Sequence, residues 1–390
     1  MGNISTEAWV LYSGQSDNTY MGLKKEKFEF SALDDYEVLA EPLLGSWDAN
    51  LTHAIERNPI DVCQQRGEEK IVLGNTGIVR ILKTGSKVTT SKEGDCCLVF
   101  PNAVWDRYGY PIKAYAYDAP HTIGLLAKQT KMHEMQVIPL PPNQRPLSYK
   151  QWASFSGRYV TAWSNWEVAY GCWRLQVHEE ECPNSQVFVW GWGGGTSFAE
   201  LTLAQHFGCQ AAMISSDKER INTISQMGMT PIDRRLFPNL SFDEDQYRKD
   251  PDFARLYQES EKNFLDIVRE ETNNNGVSIF IDNLGTPVFR ATLKALGRQG
   301  VISTVGWKLG MKINHLRALE CINRHTHVHT HFARYQQGVA AVKFAQEMNW
   351  APPIDSPIIY SWDDIPELVD DYANGKISTY FPMYQVNELS

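Results

Sequence analysis

The chain has 390 residues, 43% of them hydrophobic, with a mean hydropathy of −0.38 and a net charge of −9. That length predicts two domains rather than one continuous core. The composition excludes a transmembrane helix, since no run of about 18 apolar residues occurs, and the acidic balance argues against nucleic acid, whose phosphates need clustered Lys and Arg.

The N-terminal stretch Met1-Gly2-Asn3-Ile4-Ser5-Thr6 lacks the basic and apolar parts of a secretory signal. It loosely matches a myristoylation pattern through Gly2 and Thr6, but no polybasic patch follows. A cytoplasmic protein is expected. The seven cysteines include no C-x-x-C pair, which predicts free thiols and no structural metal.

Residues 1–150 read as β-rich. Glycines punctuate short apolar runs through Gly74, Gly77, Gly85 and Gly94, a spacing that suits a small barrel with tight corners. The prolines from Pro139 to Pro146 mark a stiff boundary. Strand–helix alternation then takes over in 151–334. Strands are expected at Val187–Trp190, Gln210–Ile214, Val277–Ile281 and Val301–Val305, and helices at Thr196–Phe207, Lys218–Met227, Glu261–Glu271 and Pro287–Leu296. This is the pattern of a doubly wound parallel sheet, an α/β architecture. A polar, charged insertion occupies about 235–262, and about 335–390 is expected to rejoin the first domain.

After the first of these strands comes Gly191-Trp192-Gly193-Gly194-Gly195-Thr196, with Ser197 where many such turns carry another glycine. Glycines let the backbone approach a pyrophosphate, and the next helix offers free N–H groups and a partial positive charge. A tight strand–helix turn without a ligand is the alternative. Trp192 either walls a substrate pocket or covers a cofactor.

The order of glycine-spaced barrel, proline boundary and nucleotide fold resembles the medium-chain dehydrogenase/reductase superfamily. Within it the chain resembles the crotonyl-CoA carboxylase/reductase group. The resemblance rests on Gly77 to Asp95, on Val189-Trp190-Gly191, on Ile232-Asp233-Arg234-Arg235 with its charged insertion, and on His331-Phe332-Ala333. It implies a GroES-like β-barrel catalytic domain (1–150, completed by about 335–390) and a Rossmann nucleotide-binding domain (151–334). It also implies an acyl-thioester substrate on CoA or a carrier protein. A homodimer or homotetramer is the expected assembly.

The second strand of the alternation ends in Ser215-Ser216-Asp217-Lys218-Glu219-Arg220. Ser215, Ser216, Lys218 and Arg220 suit a 2′-phosphate and so NADP(H), while Asp217 either meets a ribose or caps the next helix. Asn283, Gly306 and Trp307 belong beside the nicotinamide if the family arrangement holds; otherwise Trp307 is an ordinary buried aromatic.

The zinc-binding relatives place a cysteine where this chain has Leu44-Gly45-Ser46-Trp47-Asp48, so no metal is expected. The run from His325 to His331 reads as the polar face of a strand rather than a metal site. In carboxylating relatives the histidine matching His331 helps hold carbon dioxide, with a glutamate and an asparagine. Asn50 matches the asparagine, whereas Lys128 stands at the carboxylate position unless Glu134 supplies it. A lysine cannot accept those hydrogen bonds.

The leading expectation is therefore an NADPH-dependent reductase of an α,β-unsaturated acyl thioester, with His331 or water as proton donor. The alternatives are reductive carboxylation, a pathway-specific oxidoreductase on another substrate, and a cofactor-binding protein without activity.

Overall fold

The computed structural model describes residues 3–14, 22–141, 146–310, 312, 324–330, 332–353 and 358–389. Its packing divides the chain into two compact units: Met1–Val160 with Phe332–Ser390, and Thr161–His331.

The first unit begins with β1 (Ile4–Tyr12), which pairs antiparallel with β2 (Lys24–Phe30) and later with β4 (Lys70–Val72). Lys24, Lys25 and Lys27 line the edge strand β2, a common protection against edge-to-edge pairing. Next come β3 (Glu37–Ser46), α1 (Ala49–Glu56), α2 (Val62–Arg66), β5 (Gly77–Thr84) and β6 (Cys96–Val99). The hairpin β7 (Asn102–Trp105) and β8 (Pro111–Ala114) follows, then β9 (Thr130–His133), β10 (Val137–Pro139) and α3 (Tyr149–Phe155). Strand β3 is the hub of the larger sheet, pairing with both β5 and β9. Short strands separated by turns form the barrel-like part that glycine spacing predicts. Helix α4 (Arg158–Gln176) contains the division between the units.

In the second unit, β11 (Phe188–Trp192) leads into α5 (Gly195–His206), β12 (Gln210–Ser215), α6 (Lys218–Gln226) and β13 (Thr230–Asp233). Helices α7 (Glu244–Lys249) and α8 (Pro251–Glu271) precede β14 (Val277–Asp282), α9 (Thr286–Ala295), β15 (Leu296–Thr304) and β16 (Thr326–His329). The six strands form one parallel sheet in the order β13-β12-β11-β14-β15-β16. The chain therefore winds outward from β11, then restarts at β14 on its other side. Such a switch point opens a crevice beyond the carboxyl ends of the strands, where ligands bind.

The charged insertion is more regular than expected. Asp250 caps α8, accepting from the amides of Asp252 and Phe253 at 2.9 and 3.1 Å, and Pro251 occupies the first turn. The helix thus starts ten residues before the expected Glu261. Its buried face, with Tyr257, Phe264 and Val268, packs into the core of this unit.

The remaining chain forms α10 (Tyr335–Met348), β17 (Ile359–Tyr360), α11 (Ile365–Ala373) and β18 (Met383–Gln385). Strand β18 pairs antiparallel with β3, setting Met383 opposite Ser46. Among the described residues, no helix is long and apolar enough to cross a membrane.

Candidate functional site

All five residues of β11 are buried, and the chain leaves its carboxyl end through Gly193, whose φ is 121°. A Cβ there would lie 2.9 Å from Ser197 Oγ, so the turn requires glycine. Gly194 is different: a Cβ there would meet no protein atom within 4 Å, so its face is open. It precedes α5, whose N-terminus has no side-chain cap. Gly194 has no side chain to cap the first amides of α5, so that end of the helix can meet an external acceptor with the positive end of the helix dipole behind it. At Gly191 a Cβ would approach Leu201 Cδ1 to 3.0 Å, which fixes how closely α5 lies on β11.

Ser197, where a further glycine is common, is fully buried and acts as a lock. Its hydroxyl donates to the Trp192 carbonyl at 2.7 Å and accepts from Asn283 Nδ2 at 2.8 Å. Asn283 Oδ1 accepts from the amides of Val305 and Gly306 at 2.9 and 3.2 Å. One carboxamide thus ties together the ends of β11, β14 and β15. Asn283 shapes the site with its side chain instead of offering it to a ligand. Asn283→Ala leaves these partners unsatisfied, at about 1 kcal/mol or more each. The expected outcome is a Tm lower by about 5 °C in thermal melts, with weaker nucleotide binding in titrations.

Trp192 is packed inside the second unit rather than presented on its surface. Its ring is 1% exposed and packs against Phe264 and Phe280 at centroid distances of 5.2 and 5.7 Å. Its Nε1 donates to Thr292 Oγ1 at 2.8 Å, and that hydroxyl donates to Asp282 Oδ2 at 2.9 Å. Strand alternation turns this side chain to the face of the sheet opposite Gly191.

At the end of β12, Asp217 caps α6, its Oδ1 accepting from the Arg220 amide at 2.9 Å. Ser215 is nearly buried and its hydroxyl accepts from the Asp217 amide at 3.2 Å, while Ser216 and Lys218 are exposed. Two cations join this edge that sequence reasoning did not single out for a ligand. The ammonium of Lys308 lies below the usual lysine value through desolvation and the nearby Arg220 charge. The Arg234 guanidinium lies 6.0 Å from the Trp192 ring centre, lowered by burial alone. Its neighbour Arg235 is held by Asp233, Nη2 to Oδ2 at 2.6 Å. Gly306 and Trp307 are half-buried on the loop that Asn283 holds.

The remaining candidates scatter. In the first unit, Asn50 is exposed in the first turn of α1, which Asp48 caps. The Lys128 ammonium donates to the Val386 carbonyl and lies 4.6 Å from the Trp362 ring centre. Burial lowers its value, and its described contacts serve the packing of that unit. Glu134 is 8% exposed and accepts from the amides of Thr89 and Thr90 at 2.9 and 3.2 Å. Its burial raises the carboxyl, but the Thr89 and Thr90 bonds outweigh that and hold it below the usual range. His331 lies outside the described residues. In the second unit, the rings of His327 and His329 lie 4.2 Å apart, and His327 Nε2 meets Thr304 Oγ1 at 3.1 Å. No group of three metal-ligating side chains occurs among the described residues.

No protein-family model matches the sequence, and no curated protein sequence does. Solved structures do match. A crotonyl-CoA carboxylase/reductase in complex with NADP superposes with a TM-score of 0.79 at 17% identity, over 99% of this chain and 96% of that one. A 2-octenoyl-CoA carboxylase reductase with NADP and 2-octenoyl-CoA gives 0.78 at 16% identity, over 99% and 89%. A cinnamyl alcohol dehydrogenase from Sorghum bicolor gives 0.72 at 14% identity, over 98% of each chain. The chain has the medium-chain dehydrogenase/reductase fold. The six-stranded parallel sheet is the Rossmann part of that fold, and the antiparallel sheets are its GroES-like part. In a Rossmann sheet, an open glycine turn before an uncapped helix is a geometry able to accept a diphosphate.

Proposed function

We propose that the protein is an NADPH-dependent reductase of the carbon–carbon double bond of an α,β-unsaturated acyl thioester. The thioester is carried on CoA or a carrier protein, the reaction uses no zinc, and the enzyme works as a homodimer or homotetramer. The observation that carries the reading is the open face at Gly194 before the uncapped N-terminus of α5. It is supported by the fold shared with two carboxylase/reductases of enoyl-CoA esters.

The residues present fit a dinucleotide with a 2′-phosphate. The α5 amides, with Gly193, Gly194, Gly195 and Thr196, receive the diphosphate. Asp217 Oδ1 is spent on the α6 cap, which weakens the case for a ribose-binding carboxylate and so for NADH. Ser215, Ser216, Lys218 and Arg220 form the 2′-phosphate side, joined by Lys308. When bound, NADPH supplies the hydride that adds to the β-carbon of the substrate. The protein's own part is to hold Val305, Gly306 and Trp307 in place through Asn283, and so orient the nicotinamide end. Protonation at the α-carbon falls to His331 or water.

Reduction without carboxylation is the reading preferred here, because the family resemblance sets Lys128 at the carboxylate position of the carboxylating relatives, and a lysine cannot accept those hydrogen bonds. NADPH is expected to bind at least tenfold more tightly than NADH in fluorescence titrations. NADPH absorbance should fall on adding crotonyl-CoA and stay constant with simple aldehydes. Preference for NADH, or turnover of aldehydes alone, would overturn the reading.

A further inference from the structure

Helix α5 carries a carboxyl group that the proposed reaction does not use. Glu200, in the second turn, is fully enclosed. Its Oε2 accepts from Asn165 Nδ2 at 2.9 Å, and its Oε1 meets the Ser303 hydroxyl at 3.0 Å. The Asn165 amide also reaches the Ser303 oxygen, and Asn165 Oδ1 accepts from the Thr330 hydroxyl at 2.7 Å. Four side chains from α4, α5, β15 and the residue after β16 thus close one polar network, buried at Glu200, Asn165 and Ser303 and half-buried at Thr330.

Among the described residues, no charged group hydrogen-bonds into this network besides Glu200 itself. Asp282, the other enclosed carboxyl at this sheet edge, is taken by the amides of Leu284 and Gly285, each at 3.0 Å, and by Thr292. Burial pushes Glu200 up to about 8, only partly offset by Asn165 and Ser303. At neutral pH the group is an uncharged acid, and the Ser303 bond can form with either partner donating. The two elements it joins are the ones that shape the cradle. Helix α5 starts at the glycine turn, and Ser303 precedes the Val305 amide held by Asn283.

We propose that Glu200 is a positioning residue for the nucleotide: uncharged, it fastens the diphosphate end of α5 to the end of β15, and acquiring a charge loosens nucleotide binding. The proposal rests on reading the glycine turn as an NADPH cradle. Two effects give its direction. A buried carboxylate without a cation must draw in water or shift α5, because its desolvation is uncompensated. Its charge also lies behind the helix amides that would face the diphosphate, in a medium that screens poorly.

The test is calorimetric titration with NADPH, from pH 7 to pH 9.5, on the wild type and Glu200→Gln. Glutamine keeps the shape and the hydrogen bonds but cannot ionise. Both proteins are expected to bind within about twofold of each other at pH 7. By pH 9.5 the wild type should bind about tenfold more weakly than Glu200→Gln, as its acid is titrated. Any other group that titrates over this range does so in both proteins, so the ratio isolates Glu200.

A parallel melt without nucleotide reads the same group. The folded state keeps a proton that the unfolded chain releases near 4.5. Relative to Glu200→Gln, wild-type Tm should therefore fall as pH rises from that value to about 8 and then level off. A binding ratio constant across pH would overturn the proposal alone. Absence of NADPH binding by both proteins at pH 7 would overturn the cradle reading and the proposal with it.

Discussion

Gly194→Val is expected to leave the fold intact and to weaken NADPH binding at least about 100-fold, a loss of about 2.7 kcal/mol or more. The backbone at Gly194 has a negative φ of −104°, with ψ −147° beside the extended region, and a Cβ there meets no protein atom within 4 Å. The protein therefore offers no steric obstacle to the added side chain. Only something occupying the open space above the turn would, and the proposed reading puts the diphosphate of a dinucleotide there.

Gly193→Ala supplies the contrast. Its φ of 121° and its 2.9 Å approach to Ser197 Oγ place the strain inside the protein. Ser197 cannot swing aside without breaking its bonds to the Trp192 carbonyl and Asn283. That variant should melt earlier as well as bind poorly, at a conformational cost of about 1–3 kcal/mol. Melting curves and NADPH titrations on the two variants separate strain from ligand space. Unchanged NADPH affinity in Gly194→Val would mean that the turn holds no diphosphate.

Trp192→Ala has the largest expected effect on stability. The substitution empties a site between α8, α9 and the sheet, and leaves Thr292 without its indole donor. Removing a buried Trp costs about 3–5 kcal/mol, a Tm drop of about 10 °C or more for a unit of this size. At a temperature where the variant is folded, NADPH affinity should change little, because the ring lies beneath the sheet. If Trp192 covered the cofactor instead, affinity would fall and Tm would scarcely move.

What was legible in the sequence followed from short-range patterning. The glycine turn, the strand–helix alternation and the cap at Asp217 are all set by residues within a few positions of one another, and each appears in the structure. The start of α8 was equally local, in Asp250-Pro251, but the surrounding charges obscured it. Paired charges such as Lys262 and Asp266, 2.9 Å apart, decorate an amphipathic helix whose apolar face is sparse in sequence.

What the sequence did not show depends on direction and distance. Trp192 was assigned to a ligand because it sits inside the glycine string, yet one step along a strand reverses the face of a side chain. Ser197 was noted as a departure, and its role became visible only with Asn283, 86 positions away in sequence. Lys308 joins Arg220 through the sheet order, and Glu200 meets Asn165 and Ser303 across three elements. No local signal announces such meetings. A glutamate on the apolar side of a helix is the nearest thing to one, because burial of an acid needs partners.

The central claim is that hydride passes from NADPH to the β-carbon of an enoyl thioester and that a proton completes the α-carbon. The most direct measurement uses crotonyl-CoA and NADPH carrying deuterium in the transferable position at the nicotinamide, in bicarbonate buffer, with mass analysis of the product. The account predicts a butyryl thioester with one deuterium, placed at the β-carbon, whether or not bicarbonate is present. A carboxylated product, or a reduced product without deuterium, would contradict it.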